Sequence, residues 1–229
     1  MDQNGETVNM DEDEVWSAID AQRARTAELL ETLTPEEWTY PSLCAGWTLR
    51  DVAAHLTLQQ MSLVDALLAA LRHPGSPNRT IREAARSKAA QPTGELIAEI
   101  QAMVGSRRNN IGLTHLETLI DIVVHGQDIA IPLSREVAVP VEVAATAATR
   151  VWSYRASRRE RWKARVFRPV PYERYQFAAA DTSWSVGSGP EIRGPILAIL
   201  LVLTGRPAGL ARLAGEGAGS LAAELSERG

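Results

Sequence analysis

Three times the chain sets a threonine three residues before an acid at the head of a helical segment. The segments are Thr34-Pro35-Glu36-Glu37, Thr48-Leu49-Arg50-Asp51 and Thr114-His115-Leu116-Glu117. In this arrangement the threonine hydroxyl accepts from an early helical N–H and the acid reaches back to the threonine N–H. Such a chain is committed to helices over its first 130 or so residues. Before the first box, Trp16, Ile19, Thr26, Leu29, Leu30 and Leu33 recur at helical spacing and predict a helix over Val15–Leu33. Gln22 and Arg23 interrupt that stripe, and their long stems are expected to cover apolar surface there. The second box opens a helix expected to run to His73, ahead of Pro74-Gly75. The third opens one ending near Ile131, before Pro132. Weaker helical segments lie over Thr80–Ala90 and Gly94–Val104.

Beyond Arg135–Pro140 the pattern changes. Val141–Arg158 reads as a helix, and short strand-like pieces come after it at Ala164–Phe167, Tyr175–Ala179, Ser183–Val186 and Glu191–Arg193. Ile196–Leu203 has no clear period, and a helix is favoured over a buried strand. Short helices are expected around Leu210–Leu213 and Leu221–Leu225. The expected organisation is an acidic tail over residues 1–13, a helical bundle over 14–137 and a smaller mixed α/β domain over 138–229.

Composition removes some classes of function. The net charge of -4 does not favour non-specific nucleic-acid binding. Arg150–Arg168 carries eight basic residues and one acid, Glu160, and reads as a solvated face or an anion-contacting patch. A single cysteine, Cys44, excludes an internal disulfide. The acidic start is not a signal peptide, and Pro195–Leu203 is too short to span a membrane, so a cytoplasmic protein is expected.

Chemistry concentrates in the histidines. Asp121 and His125 are four residues apart on one helix, hence on one face, and His55 can approach from a neighbouring helix. Two imidazoles and a carboxylate suit zinc or another first-row divalent ion, with a position left open for water or substrate. The same pair is also common as a plain surface contact or helix cap. Asp51 reads as the cap of its own helix rather than a partner of His55, and Asp128 as a partner of the His125 ring or a helix-end acid. His73 and His115 are left out. Cys44 reads as a small buried hydrophobe that could touch the site, and Trp47 as a cover over the bundle end or a pocket wall. There is no phosphate loop, Gly-x-Ser-x-Gly, Cys-x-x-Cys or His-Glu-x-x-His.

Ser42-Leu43-Cys44-Ala45-Gly46-Trp47-Thr48-Leu49-Arg50-Asp51-Val52-Ala53-Ala54-His55-Leu56 resembles a signature of the mycothiol-dependent maleylpyruvate isomerase family, as does Asp121-Ile122-Val123-Val124-His125-Gly126-Gln127-Asp128-Ile129. Further marks are Ala180-Asp181-Thr182-Ser183-Trp184, Gly187-Ser188-Gly189-Pro190 and Leu203-Thr204-Gly205-Arg206. The resemblance implies an all-α DinB-like four-helix bundle followed by a smaller mixed α/β domain. It implies a metal, usually zinc, on His55, Asp121 and His125. The family's glutamate is aspartate here, one methylene shorter, so the ion must shift, the helices must approach or affinity must fall. The resemblance also implies an active-site arginine, matched by Arg206.

The implied activity joins a metal-activated low-molecular-weight thiol, mycothiol in the family, to a small electrophile. In the isomerase the thiol adds to a conjugated double bond, which rotates before the thiol leaves. In related bundle proteins the thiol stays attached, giving an S-transferase. A metal hydrolase on the same bundle and a non-catalytic metal-binding or regulatory protein are the alternatives. Small molecules are the expected partners of a monomer or homodimer, with no nucleic acid and no membrane.

Overall fold

The computed structural model describes residues 10–61, 67–68, 71–72, 75–110, 112–154, 160, 163, 167, 170 and 172–227. Asp11–Ala138 forms one compact unit and Val139–Gly229 belongs to a second.

The first unit is helical: α1 (Glu12–Glu31), α2 (Leu49–Leu56), α3 (Pro77–Lys88), α4 (Thr93–Ala102) and α5 (His115–Ala130). Helix α1 packs on α4 and α5, and α2 packs on the same two, which closes a four-helix ring. Helix α3 lies against α2. The ring is filled by Val15, Ile19 and Leu30 from α1, Val52 and Leu56 from α2, Leu96 and Ile100 from α4, and Ile122, Val123 and Ile129 from α5, all buried. The capping boxes form as the sequence predicts: Thr48 with Asp51, and Thr114 with Glu117. Thr34 and Glu37 also exchange bonds, but they open only a 3-10 turn over Glu37–Thr39.

Three expectations need correction. Helix α1 starts at Glu12 rather than Val15, because Asp11 and Glu14 make a further capping box. Helix α2 stops at Leu56, where the sequence suggests a helix reaching His73. Thr57 Oγ1 donates to Ala54 O at 2.8 Å, and Met61 N is taken by Asn110 Oδ1 at 3.0 Å, so the chain turns away. Leu67, Leu68, Leu71 and Arg72 are helical again, while Leu63, Val64 and His73 lie outside the described residues. Third, Gln22 and Arg23 do not merely drape their stems over the surface. Both are buried: Gln22 Nε2 donates to Ala138 O, and Arg23 Nη1 donates to Met103 O and Ser106 O just past the end of α4. Arg23 thereby satisfies carbonyls that the helix end leaves open.

The second unit carries α6 (Val141–Ser153), β1 (Gln176–Ala179), β2 (Ser185–Gly187), β3 (Glu191–Gly194), α7 (Ile196–Leu203) and α8 (Ala218–Glu227). The strand expected over Ala164–Phe167 falls almost wholly outside the described residues. The sheet order is β2-β1-β3, with β1 antiparallel to β2 and parallel to β3. Phe177 pairs with both Val186 and Ile192. Helix α7 packs on α6 and on β1. Ile196–Leu203 is helical because both its surfaces are covered and its first N–H finds Asp181 Oδ1 at 2.9 Å. Trp184 Nε1 donates to Thr149 Oγ1 at 2.9 Å, tying the strand segment to α6. The Ala180–Trp184 motif is thus architectural. No described helix is long and apolar enough to cross a membrane.

Candidate metal centre

Helix α5 presents Asp121 and His125 one turn apart, and α2 presents His55 in its last turn. Among the described residues, His55, Asp121 and His125 bring one ligating atom each within 4.8 Å of one another. Asp121 Oδ1 lies 3.3 Å from His55 Nε2 and 3.2 Å from His125 Nε2. A charge-assisted N–H···O bond is shorter, about 2.7–2.9 Å. Ligand atoms held about 2.0–2.1 Å from a tetrahedral zinc are separated by about 3.4 Å. The observed spacing is long for a charge-assisted hydrogen bond and near the edge of a zinc tetrahedron, and the donor set fits a divalent metal. The shorter aspartate still reaches both rings.

A second group, Cys44, His125 and Asp128, also lies within 4.8 Å. Here the atoms are bonded to each other. His125 Nδ1 donates to Asp128 Oδ2 at 2.7 Å, and the Cys44 thiol donates to the same oxygen at 3.0 Å. Asp128 is fully buried. This group is the support of the His125 ring, which it fixes with Nε2 turned toward Asp121. The sequence leaves Asp128 open between ring partner and helix-end acid, and the structure makes it the ring partner. Cys44 joins it.

His55 is held differently. Its Nδ1 is buried without a hydrogen-bond partner. Asp51 stays with its cap, accepting from Thr48 N at 2.8 Å. Trp47 meets the His55 ring edge-on at a centroid distance of 5.4 Å, and the two imidazoles stand 4.8 Å apart at 76°. Trp47 therefore walls the site. His115 is elsewhere, against Trp16 and Glu12.

Burial opposes charge on both members of the α5 pair, and their mutual attraction overrides it. Asp121, facing His55 and His125, is held well below the usual carboxylate range. His125 is raised well above 6.5 by Asp121, with help from Asp128 and Cys44. Without an ion, the raised pKa of His125 favours an imidazolium beside Asp121.

Sequence reading misses one contact. Gln59 Nε2 donates to Asp121 Oδ2 at 2.7 Å, and Gln59 is 4% exposed. The sequence signal is its spacing, because Gln59 comes four residues after His55, on the same face of the helix expected to run to His73.

Arg206 belongs to the second unit. It is buried, its backbone comes after the left-handed Gly205 (φ 81°), and its Nη1 donates to Thr204 O at 2.7 Å. It is not the exposed surface residue its position before Pro207 would suggest.

A four-helix ring with an interhelical His, Asp and His set, followed in sequence by a small α/β unit, has the DinB-like bundle architecture. Residues 19–117 match the family model of the mycothiol maleylpyruvate isomerase N-terminal domain. That stretch contains His55 and ends short of Asp121. Two solved structures share the fold. The crystal structure of the mycothiol-dependent maleylpyruvate isomerase superposes with a TM-score of 0.61 at 14% identity, covering 91% of this chain and 94% of that one. That of a histidine-to-alanine mutant gives 0.62 at 13% identity, with the same coverage. No curated protein matches in sequence. The resemblance to the mycothiol-dependent maleylpyruvate isomerase family is carried by sequence over most of the first unit and by fold over nearly the whole chain.

Proposed function

We propose that the chain is a metal-dependent enzyme that uses a mycothiol-like low-molecular-weight thiol to isomerise, or to transfer sulfur onto, a small electrophilic substrate. The observation that carries this reading is the placing of both Nε2 atoms 3.3 and 3.2 Å from Asp121 Oδ1. His55, Asp121 and His125 would hold the ion. A divalent metal there, zinc by its donor set, supplies a Lewis acid that turns a thiol into thiolate near neutral pH. The protein's own groups do the rest. Asp128 accepts the Nδ1–H of His125, so that Nε2 is the ring nitrogen that would face the ion. Trp47 closes one side against water.

The resemblance places Arg206 at the active site, and a guanidinium fork there would suit a charge that develops on the substrate. Arg206→Lys keeps the charge and loses the fork. Full metal content with a rate about tenfold lower, about 1.4 kcal/mol, is expected. Wild-type turnover by this variant would leave Arg206 as a structural residue.

The reading as a whole is tested by incubating metal-loaded protein with a panel of thiols and a generic electrophile, with mass spectrometry as the readout. Conjugates or isomerised product that require both metal and one thiol are expected. Hydrolysis without thiol would replace the reading with a metal hydrolase, and no chemistry at full metal load would leave a binding protein.

A further inference from the structure

Asp121 divides its two oxygens between different neighbours. Oδ1 faces His55 Nε2 and His125 Nε2 at 3.3 and 3.2 Å, while Oδ2 accepts from Gln59 Nε2 at 2.7 Å. The orientation of the glutamine amide is dictated by chemistry. A flipped amide would set its carbonyl against a carboxylate oxygen, acceptor against acceptor, so the amino group must face Oδ2. Gln59 is 4% exposed, and its Oε1 is buried with no partner. Burying an amide with one end unsatisfied is costly, and the contact with Asp121 is what the side chain gains in return. The backbone serves the same end. Helix α2 stops at Leu56, and Leu58 N and Gln59 N bond back to His55 O and Leu56 O at 2.9 and 3.3 Å. This tightened turn sends Gln59 inward within four residues of His55.

Resting on the metal reading above, we infer that Gln59 is a positioning residue that makes Asp121 a one-oxygen ligand and so keeps a coordination position free for the incoming thiol. A carboxylate can take two positions on an ion, and a site with three protein ligands stays open only if it does not. A single N–H held on Oδ2 prevents the second oxygen from swinging in. It also lowers the torsional freedom of Asp121 before the ion arrives.

Cobalt(II) is the probe, because its visible absorption reports coordination number and needs no substrate. The full-length protein and Gln59→Met, close in length and without the donor, are titrated with the metal alone. Gln59→Met is expected to bind cobalt about tenfold more weakly. Its visible bands should weaken as the second oxygen enters. Wild-type protein that takes up no cobalt would remove the metal reading and this inference together. Wild-type uptake with an unchanged affinity and spectrum in the variant would leave the metal reading standing and overturn the role of Gln59. So would a variant that only melts earlier with the wild-type spectrum. Should Gln59→Met fail to fold, a crystal structure of cobalt-loaded wild type decides. Asp121 bound through Oδ1 alone, with Oδ2 on Gln59, supports the inference, and both oxygens on the ion overturn it.

Discussion

The two imidazoles of the centre reach Asp121 with unequal support. His125 sits mid-helix, with its far nitrogen on a fully buried carboxylate that a thiol also contacts. His55 sits in the last turn of an eight-residue helix, with its far nitrogen bare and a tryptophan edge beside it. One ring is fixed by hydrogen bonds and the other by packing. On the proposed metal reading, the hydrogen-bonded ring would set where an ion goes and the packed ring would adjust to it.

The largest effect that would break this picture is loss of the hydrogen-bonded ring. His125→Ala should keep the helix content of wild type and lose most bound metal, measured by elemental analysis of protein purified without added metal. A variant with its full load would refute the ligand assignment. Next comes the ring support. Asp128→Asn should weaken metal affinity about 10–100-fold, read by competition with a chelator of known strength. The acid one turn before His55 should behave otherwise. Asp51→Asn should leave metal affinity as it is and lower thermal stability by about 1 kcal/mol, because Asp51 belongs to a cap. Equal metal losses from the two changes would erase the distinction between the two rings.

The smallest effect is a matter of protons. His125 is raised above its ordinary 6.5, so its contribution to metal-free stability is complete below that pH and is lost as pH rises through the raised value. Asp121 is lowered from its ordinary 3.8, so its contribution is complete above that pH and is lost as pH falls through the lowered value. The pair therefore supports the metal-free fold fully between about pH 3.8 and 6.5. A metal must displace the His125 proton. Loading at neutral pH should release about one proton per ion, and the metal's stabilising effect should grow as pH rises. Calorimetry in buffers of different ionisation enthalpy measures the release. No proton released would mean that His125 is neutral before loading or does not bind the ion.

The convergence of Asp121, His125 and His55 is legible in the sequence because side chains on a helix obey its period and a small number of histidines narrows the choice. The capping boxes are legible because their chemistry is local. The end of α2 is not. Val52, Leu56, Leu63 and Leu67 keep an apolar spacing straight through it, while the bonds that turn the chain come from Asn110 and Asp121, far away in sequence. The roles of Gln22 and Arg23 are hidden for the same reason. A polar residue in a stripe looks like surface until the carbonyls it serves, at Ala138, Met103 and Ser106, are in place.

Arg23 also sets the charge balance of the bundle interior. Burial works against its cation, and the charges that offset this are those of Asp20 and Asp121. Asp121 thus contributes, after Asp20, to holding the charge of a buried arginine. Arg23 keeps its hydrogen bonds to Met103 O and Ser106 O and its ion pair with Asp20, so neutralising Asp121 would take away one of several supports of its charge. A change at Asp121 therefore reaches the folding of the metal-free bundle as well as the candidate site, through Arg23 in addition to His125.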